Sequence, residues 1–105
     1  MPMEMIYFTA ANRQEVLQIG RALVEDRLVA CVNVLGEITS LYRWEGAVQE
    51  ETEVAAIAKT SSENVPRVIE RVKSLHSYTC PCVVSWPIQA GHPAFLQWIE
   101  DETRS

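Results

Sequence analysis

The sequence predicts an α+β domain of βαββαβ order, and three observations predict it. Residues 30–60 carry two β-compatible runs joined at an acidic residue and a glycine, so they read as one long hairpin. On either side of it lies a stretch whose apolar residues recur at helical spacing. Outside those stretches, residues 5–9 and 82–86 are short apolar or β-branched runs of strand length. Two β-α-β units that share a hairpin, with right-handed crossovers, give a four-stranded antiparallel sheet backed by two helices, the ferredoxin-like arrangement. The whole of 1–105 is expected to be one such domain with an added C-terminal helix.

Residues 5–9 (MIYFT) are apolar enough throughout to form a central strand covered on both faces. Asn12 followed three residues later by Glu15 is an N-cap with a carboxylate placed to return the bond, and Val16, Ile19 and Leu23 then recur at helical spacing toward Asp26. The first hairpin arm, 30–44, has Ala30, Val32, Val34, Ile38, Tyr42 and Trp44 at even positions, so one face is expected to be apolar along its length. After Glu45-Gly46 the second arm returns through Glu50, Glu51 and Glu53 to 54–60. Ser61, Ser62 and Glu63 supply capping signals for the second helix, with Pro66 in its first turn and Val65, Val68, Ile69, Val72 and Leu75 as its inner stripe. Residues 82–86 form the fourth strand, stopped by Pro87. Gly91-His92-Pro93 opens the terminal helix, for which Phe95, Trp98 and Ile99 are the expected inner face.

The hairpin is too long for its domain. An unbroken fifteen-residue strand spans roughly 50 Å, whereas a chain of this size has a radius of gyration of about 13 Å. The arm must bend, bulge or project, and Gly36 is the expected place for a bulge. Because Tyr42 and Trp44 lie near the tip, beyond any intrachain core, further copies of the chain are expected to cover them.

With 48% apolar and 22% charged residues the composition is that of a globular domain. A net charge of −5 without a Lys/Arg cluster excludes nucleic acid as an expected partner. There is no apolar run of membrane-spanning length and no basic-then-apolar signal segment, so no membrane partner and a cytoplasmic location are expected. Three cysteines, with Cys80 and Cys82 two apart, fit neither a Cys-x-x-C redox pair nor a disulfide framework and are read as free thiols. No nucleophile elbow, phosphate loop or HExxH pattern is present, so an enzyme is not expected, nor an organic cofactor.

Ala30-Cys31-Val32-Asn33, Thr39-Ser40-Leu41-Tyr42-Arg43-Trp44-Glu45-Gly46, Glu53, Lys59-Thr60, His76-x-Tyr78-x-x-Pro81, Gly91 and Phe95-Leu96-x-Trp98-Ile99 form an ordered series over nearly the whole chain. That series resembles the CutA divalent-cation tolerance proteins. The resemblance implies a homotrimer, similar in architecture to the PII signalling proteins, with Tyr42 and Trp44 at the trimer interface and a non-enzymatic response to copper or another divalent metal ion. It also implies a cleft between subunits at the His76-x-Tyr78 motif, to which Lys59 would lend a positive charge. The alternative it leaves open is a PII-like sensor or scaffold binding a small anionic ligand or a partner protein there. The chain departs from the family pattern in the stretch of Thr79, Cys80 and Cys82, where two usual carboxylates are missing, and at Phe8 and Leu75, where some members have soft ligands, so a family copper site does not transfer intact.

From the residues themselves, His76, Cys80 and Cys82 make a His-x3-Cys-x-Cys set whose imidazole and thiolates suit Cu(I) or Zn(II), with both cysteines expected on one side of the fourth strand. The competing reading is that His76 and Tyr78, at the end of the second helix, form a structural cap for the loop that leads into the fourth strand, and that the thiols fill space, as free cysteines often do. Lys59 has its own alternative in an ion pair with Glu53 or a terminal carboxylate. Glu45, Glu50, Glu51 and Glu53 are expected to solvate the hairpin tip.

Overall fold

The structure, a computed structural model, describes residues 2–104. Strand β1 (Met3–Ala10) leads to helix α1 (Arg13–Glu25), and β2 (Cys31–Trp44) and β3 (Ala47–Ser61) form the hairpin. Helix α2 (Val65–Leu75), strand β4 (Val83–Ile88) and helix α3 (Pro93–Thr103) complete the chain. The sheet has the order β2-β3-β1-β4 with every neighbouring pair antiparallel, which places β1 and β3 at the centre. Among the described residues no helix is long and apolar enough to cross a membrane.

One face of the sheet is closed by α1 and α2. Ile6, Phe8 and Ala10 of β1 and Val54, Ala56 and Ala58 of β3 meet Val16, Ile19 and Leu23 of α1 and Val68 and Val72 of α2 in a continuous core. Helix α1 lies close to β2 because residue 20 is glycine: a Cβ there would stand 3.2 Å from a methyl of Val32. The other face is covered only at one end, where Ile99 of α3 packs on Met3 and Ala30. Arg27 ties α3 to the chain by donating to the carbonyls of Asp101 and Glu102.

The hairpin accommodates its length in two ways. Its register shifts between Val34, opposite Ala56, and Gly36, opposite Ala55, so Leu35 is an extra residue in a bulge, with Gly36 at φ 114°. Beyond it the arms run on to Trp44 opposite Ala47 and close over Glu45 and Gly46, both at positive φ as a two-residue type I′ turn requires. The long axis of the subunit is 45 Å against 25 and 22 Å for the others.

The bulge overturns the expectation of one apolar face along the first arm. Val32 and Val34 face the helices with their partners Ala58 and Ala56, but Ile38 and Ser40 pair with Glu53 and Glu51, which alternate onto the opposite face with Ala55. One extra residue has moved every later even position to the other side of the sheet.

Two boundaries and two side-chain placements also differ. The capping residues Ser61 and Ser62 start a 3-10 turn, Ser62–Asn64, and Ser61 makes no side-chain cap bond, so α2 begins at Val65. Pro87 lies inside β4 rather than ending it, which an edge strand tolerates because one side needs no ladder donor. Glu15 returns its bond to the amide of Ala11, at 3.2 Å, rather than to Asn12, while Asn12 caps the Glu15 amide at 2.8 Å as expected. On α3 the inner residues are Ile99 and Thr103, whereas Phe95 and Trp98 lie on the surface with ring centroids 5.5 Å apart.

Candidate functional site

The uncovered face of the sheet holds a groove of about 730 Å³. Its floor is β1, through Tyr7 and Thr9, and the outer half of β3, through Glu51 and Glu53. The bulge brings Ile38, Ser40, Tyr42 and Trp44 to it along β2, and the loop after α2 closes it with Tyr78, Thr79, Cys80 and Cys82. The volume is that of an ordinary small-molecule site.

Glu51 and Glu53 give the groove its sign. They were expected at the solvated tip, but pairing with Ser40 and Ile38 turns both onto the groove face, while Glu45 and Glu50 stay outside it. The Thr9 hydroxyl donates to Glu53 at 3.4 Å. The Tyr78 phenol lies beside Glu53 and the Tyr42 phenol beside Glu51. Burial raises the pKa of Tyr78, and Glu53 and Glu51 raise it further. Burial likewise raises the Cys82 thiol, with Glu53 adding to the effect. The groove thus presents carboxylates, neutral phenols and thiols.

The loop that carries Tyr78 is held from beneath by His76. Its Nε2 donates to the Thr9 carbonyl at 2.7 Å, and its Nδ1 accepts the Tyr78 amide at 3.0 Å. Those partners assign a neutral ring with the proton on Nε2. The imidazole is fully buried, and the Tyr78 ring packs on it at 4.8 Å. Next to it the Ser77 amide and hydroxyl donate to the two oxygens of Glu15, at 2.7 and 3.1 Å. No local pattern announced this link, which joins residues 62 apart in the chain.

Of the predicted site residues, Tyr78, Cys80, Cys82, Tyr42 and Trp44 share the groove. Both thiols are free and reach it, although β4 starts only at Val83. His76 does not join them, because both ring nitrogens are engaged within the chain and its side chain has no exposed area. Among the described residues no group of three His, Cys, Asp or Glu side chains is placed to hold a metal ion. Lys59 also lies elsewhere. It pairs with Cys31 across the hairpin and donates to Asn33 Oδ1 rather than to Glu53, six residues and so roughly 20 Å along β3.

Glu15 supplies a test of this support. Burial opposes its ionisation, but hydrogen bonds from the Ser77 amide and hydroxyl and from the Ala11 amide outweigh that and lower its pKa. A carboxyl whose folded pKa lies below its unfolded one stabilises the fold above the unfolded value, about 4.3, and loses that contribution as pH falls through the lowered one. Glu15→Gln is therefore expected to cost about 1–3 kcal/mol at pH 7, with the difference from the parent shrinking below about pH 4.3. Urea unfolding at both ends of that range measures it, and an undiminished difference in acid would show that charge is not the cause.

Comparisons with known proteins bear on the same chain. The family model described as CutA1 divalent ion tolerance protein matches residues 4–102. The divalent-cation tolerance protein CutA of Thermus thermophilus is 41% identical over 100 residues, 95% of this chain and 97% of that one. The mouse protein CutA is 40% identical over 99 residues, which span 94% of this chain but only 56% of the longer mouse protein. Among solved structures, CutA from Archaeoglobus fulgidus, named as a periplasmic divalent cation tolerance protein, superposes with a TM-score of 0.94 at 41% identity, covering 97% of this chain and 99% of that one. CutA1 from Oryza sativa gives 0.96 at 34% identity, covering 99% and 95%.

Proposed function

The chain belongs to the CutA1 divalent ion tolerance family, and from that premise we propose that it is a non-enzymatic divalent-cation tolerance protein working as a homotrimer. The observation that carries the assembly is the second face of the sheet. Val84 and Trp86 on β4, and Tyr42 and Trp44 on the hairpin, are 52, 41, 39 and 47% exposed in the single subunit, and large exposed apolar surfaces mark interfaces. Burying them between copies turns the groove into an inter-subunit cleft. The three free thiols fit a reducing compartment, which supports a cytoplasmic location.

Copper is the ion for which this chain has donors of the right softness. Cys80 and Cys82 both line the groove, and thiolates select Cu(I) over carboxylate oxygen. One subunit does not supply a closed cage for a resident metal, so the thiols would receive an ion as cargo. Titration of Cu(I) into the reduced protein is expected to show binding that falls at least tenfold when Cys80 and Cys82 are both changed to Ser. Equal binding by the two proteins would remove copper from this reading. A cleft for a small anionic ligand is less well supported, since the charged side chains of the groove are Glu51 and Glu53 and Lys59 lies outside it.

A further inference from the structure

The two ring nitrogens of His76 hold different segments of the chain. Nε2–H anchors the ring to the Thr9 carbonyl of β1, while Nδ1 accepts the Tyr78 amide at 3.0 Å and so fixes the start of the loop that follows α2. The second bond exists only while Nδ1 carries no proton, because an imidazolium has two donors and no acceptor. A replacement partner stands beside it. Glu15 Oε2 lies 3.8 Å from the same Nδ1, and it accepts the Ser77 amide at 2.7 Å. The groups that face the ring are thus Glu15 from α1, the Tyr78 ring from the loop at 4.8 Å and the uncharged Thr9 carbonyl from β1. Among the described residues no lysine or arginine is ion-paired with Glu15.

We infer that His76 and Glu15 form a proton-operated latch on the loop between α2 and β4. A proton taken from solvent binds Nδ1, the Tyr78 N–H loses its acceptor, and the new Nδ1–H turns to Glu15 Oε2, drawing that carboxylate away from the Ser77 amide. Both bonds that tie down the start of the loop weaken together, so Tyr78 loosens, while Nε2–H keeps the ring on Thr9. A charge on a fully buried imidazole is costly unless it is paired, and Glu15 supplies the pair. The unperturbed imidazole is the side chain whose charge changes between roughly pH 5 and 8, so mild acid is the signal. The latch consists of one chain's own hydrogen bonds and stands apart from both the trimer and copper.

The test follows the imidazole nitrogens of His76 by NMR in the intact, reduced, metal-free protein from roughly pH 8 to 5, alongside hydrogen exchange of the Tyr78 amide corrected for its intrinsic pH dependence. A neutral ring protonated on Nε2 is expected to give way to an imidazolium. At the same midpoint the protection of the Tyr78 amide should fall about tenfold, the loss of one hydrogen bond, while Ile6 and Val54 in the core keep theirs. His76→Asn retains an oxygen that can accept the Tyr78 amide but takes up no proton, and its Tyr78 protection should stay constant over the range. Glu15→Gln removes the replacement partner and should move the parent's midpoint down by about one pH unit; it carries the test if His76→Asn fails to fold. A ring that stays neutral until the whole protein unfolds would overturn the inference. So would protonation that leaves Tyr78 protected, as when a neighbouring subunit holds the loop, an unaltered pH dependence in His76→Asn, or an unmoved midpoint in Glu15→Gln.

Discussion

Trp44→Asp is expected to reduce the assembly to single subunits at micromolar concentration. Trp44 is 47% exposed in the isolated subunit and sits at the end of a hairpin arm that extends away from the core. A buried aromatic ring removes 150–250 Å² from water. Covering the exposed half of Trp44 is thus worth roughly 2–3 kcal/mol per subunit at about 25 cal/mol per Å². An aspartate at the same place forfeits that gain and puts a charge into a surface that excludes water, on the groove face that already carries Glu51 and Glu53. The loss recurs in every copy of a symmetric ring. The subunit itself should still fold, since its core of Phe8, Ile6, Ile19 and Leu23 lies on the other face. Sedimentation equilibrium with circular dichroism on the same samples checks both halves. A parent that is monomeric at micromolar concentration, or a Trp44→Asp variant that assembles like the parent, would end the trimeric reading.

The elements were legible because each is written locally. Asn12 with Glu15, the Val16-Ile19-Leu23 stripe and the Val65-to-Leu75 stripe state their helices within a few residues, and Glu45-Gly46 states its turn. What was not legible depends on partners far away in the chain. The spacing of His76 to Cys80 suggested a shared site, but the Thr9 carbonyl, 67 residues away, fixes the imidazole under the loop instead. Glu51 and Glu53 look like tip residues until the register with Ser40 and Ile38 is known. Phe95 and Trp98 seemed inward by apolarity, yet it is Ile99, with Leu96 partly buried beside it, that packs on the sheet, while Phe95 and Trp98 stay on the surface. The family resemblance pointed to a cleft at His76-x-Tyr78 with Lys59 near it; Tyr78 lines the groove, whereas His76 and Lys59 are held by hydrogen bonds outside it.

The face inversion was the hardest feature to see, and it makes the last prediction. Apolar residues continue at even positions through Gly36, so alternation gives no sign that the side of the sheet has changed. Gly36 can hold the bulge because it sits at φ 114°, a region closed to most side chains, and space is not the issue, since nothing lies within 4 Å of an added Cβ. Gly36→Val is therefore expected to cost about 1–3 kcal/mol of backbone strain. The strain is relieved if Leu35 takes the place opposite Ala55, but that slip turns Ile38, Tyr42 and Trp44 to the helix side and empties the groove of them. Assembly should weaken accordingly. Deleting Leu35 in the same variant removes the extra residue, so position 36 falls opposite Ala55 in a regular strand and the outer residues keep their face. The double change should then recover assembly that the single change loses, read by sedimentation and by the fluorescence of Trp44. If Gly36→Val assembles like the parent, or if deleting Leu35 rescues nothing, the bulge does not set which face the outer hairpin presents.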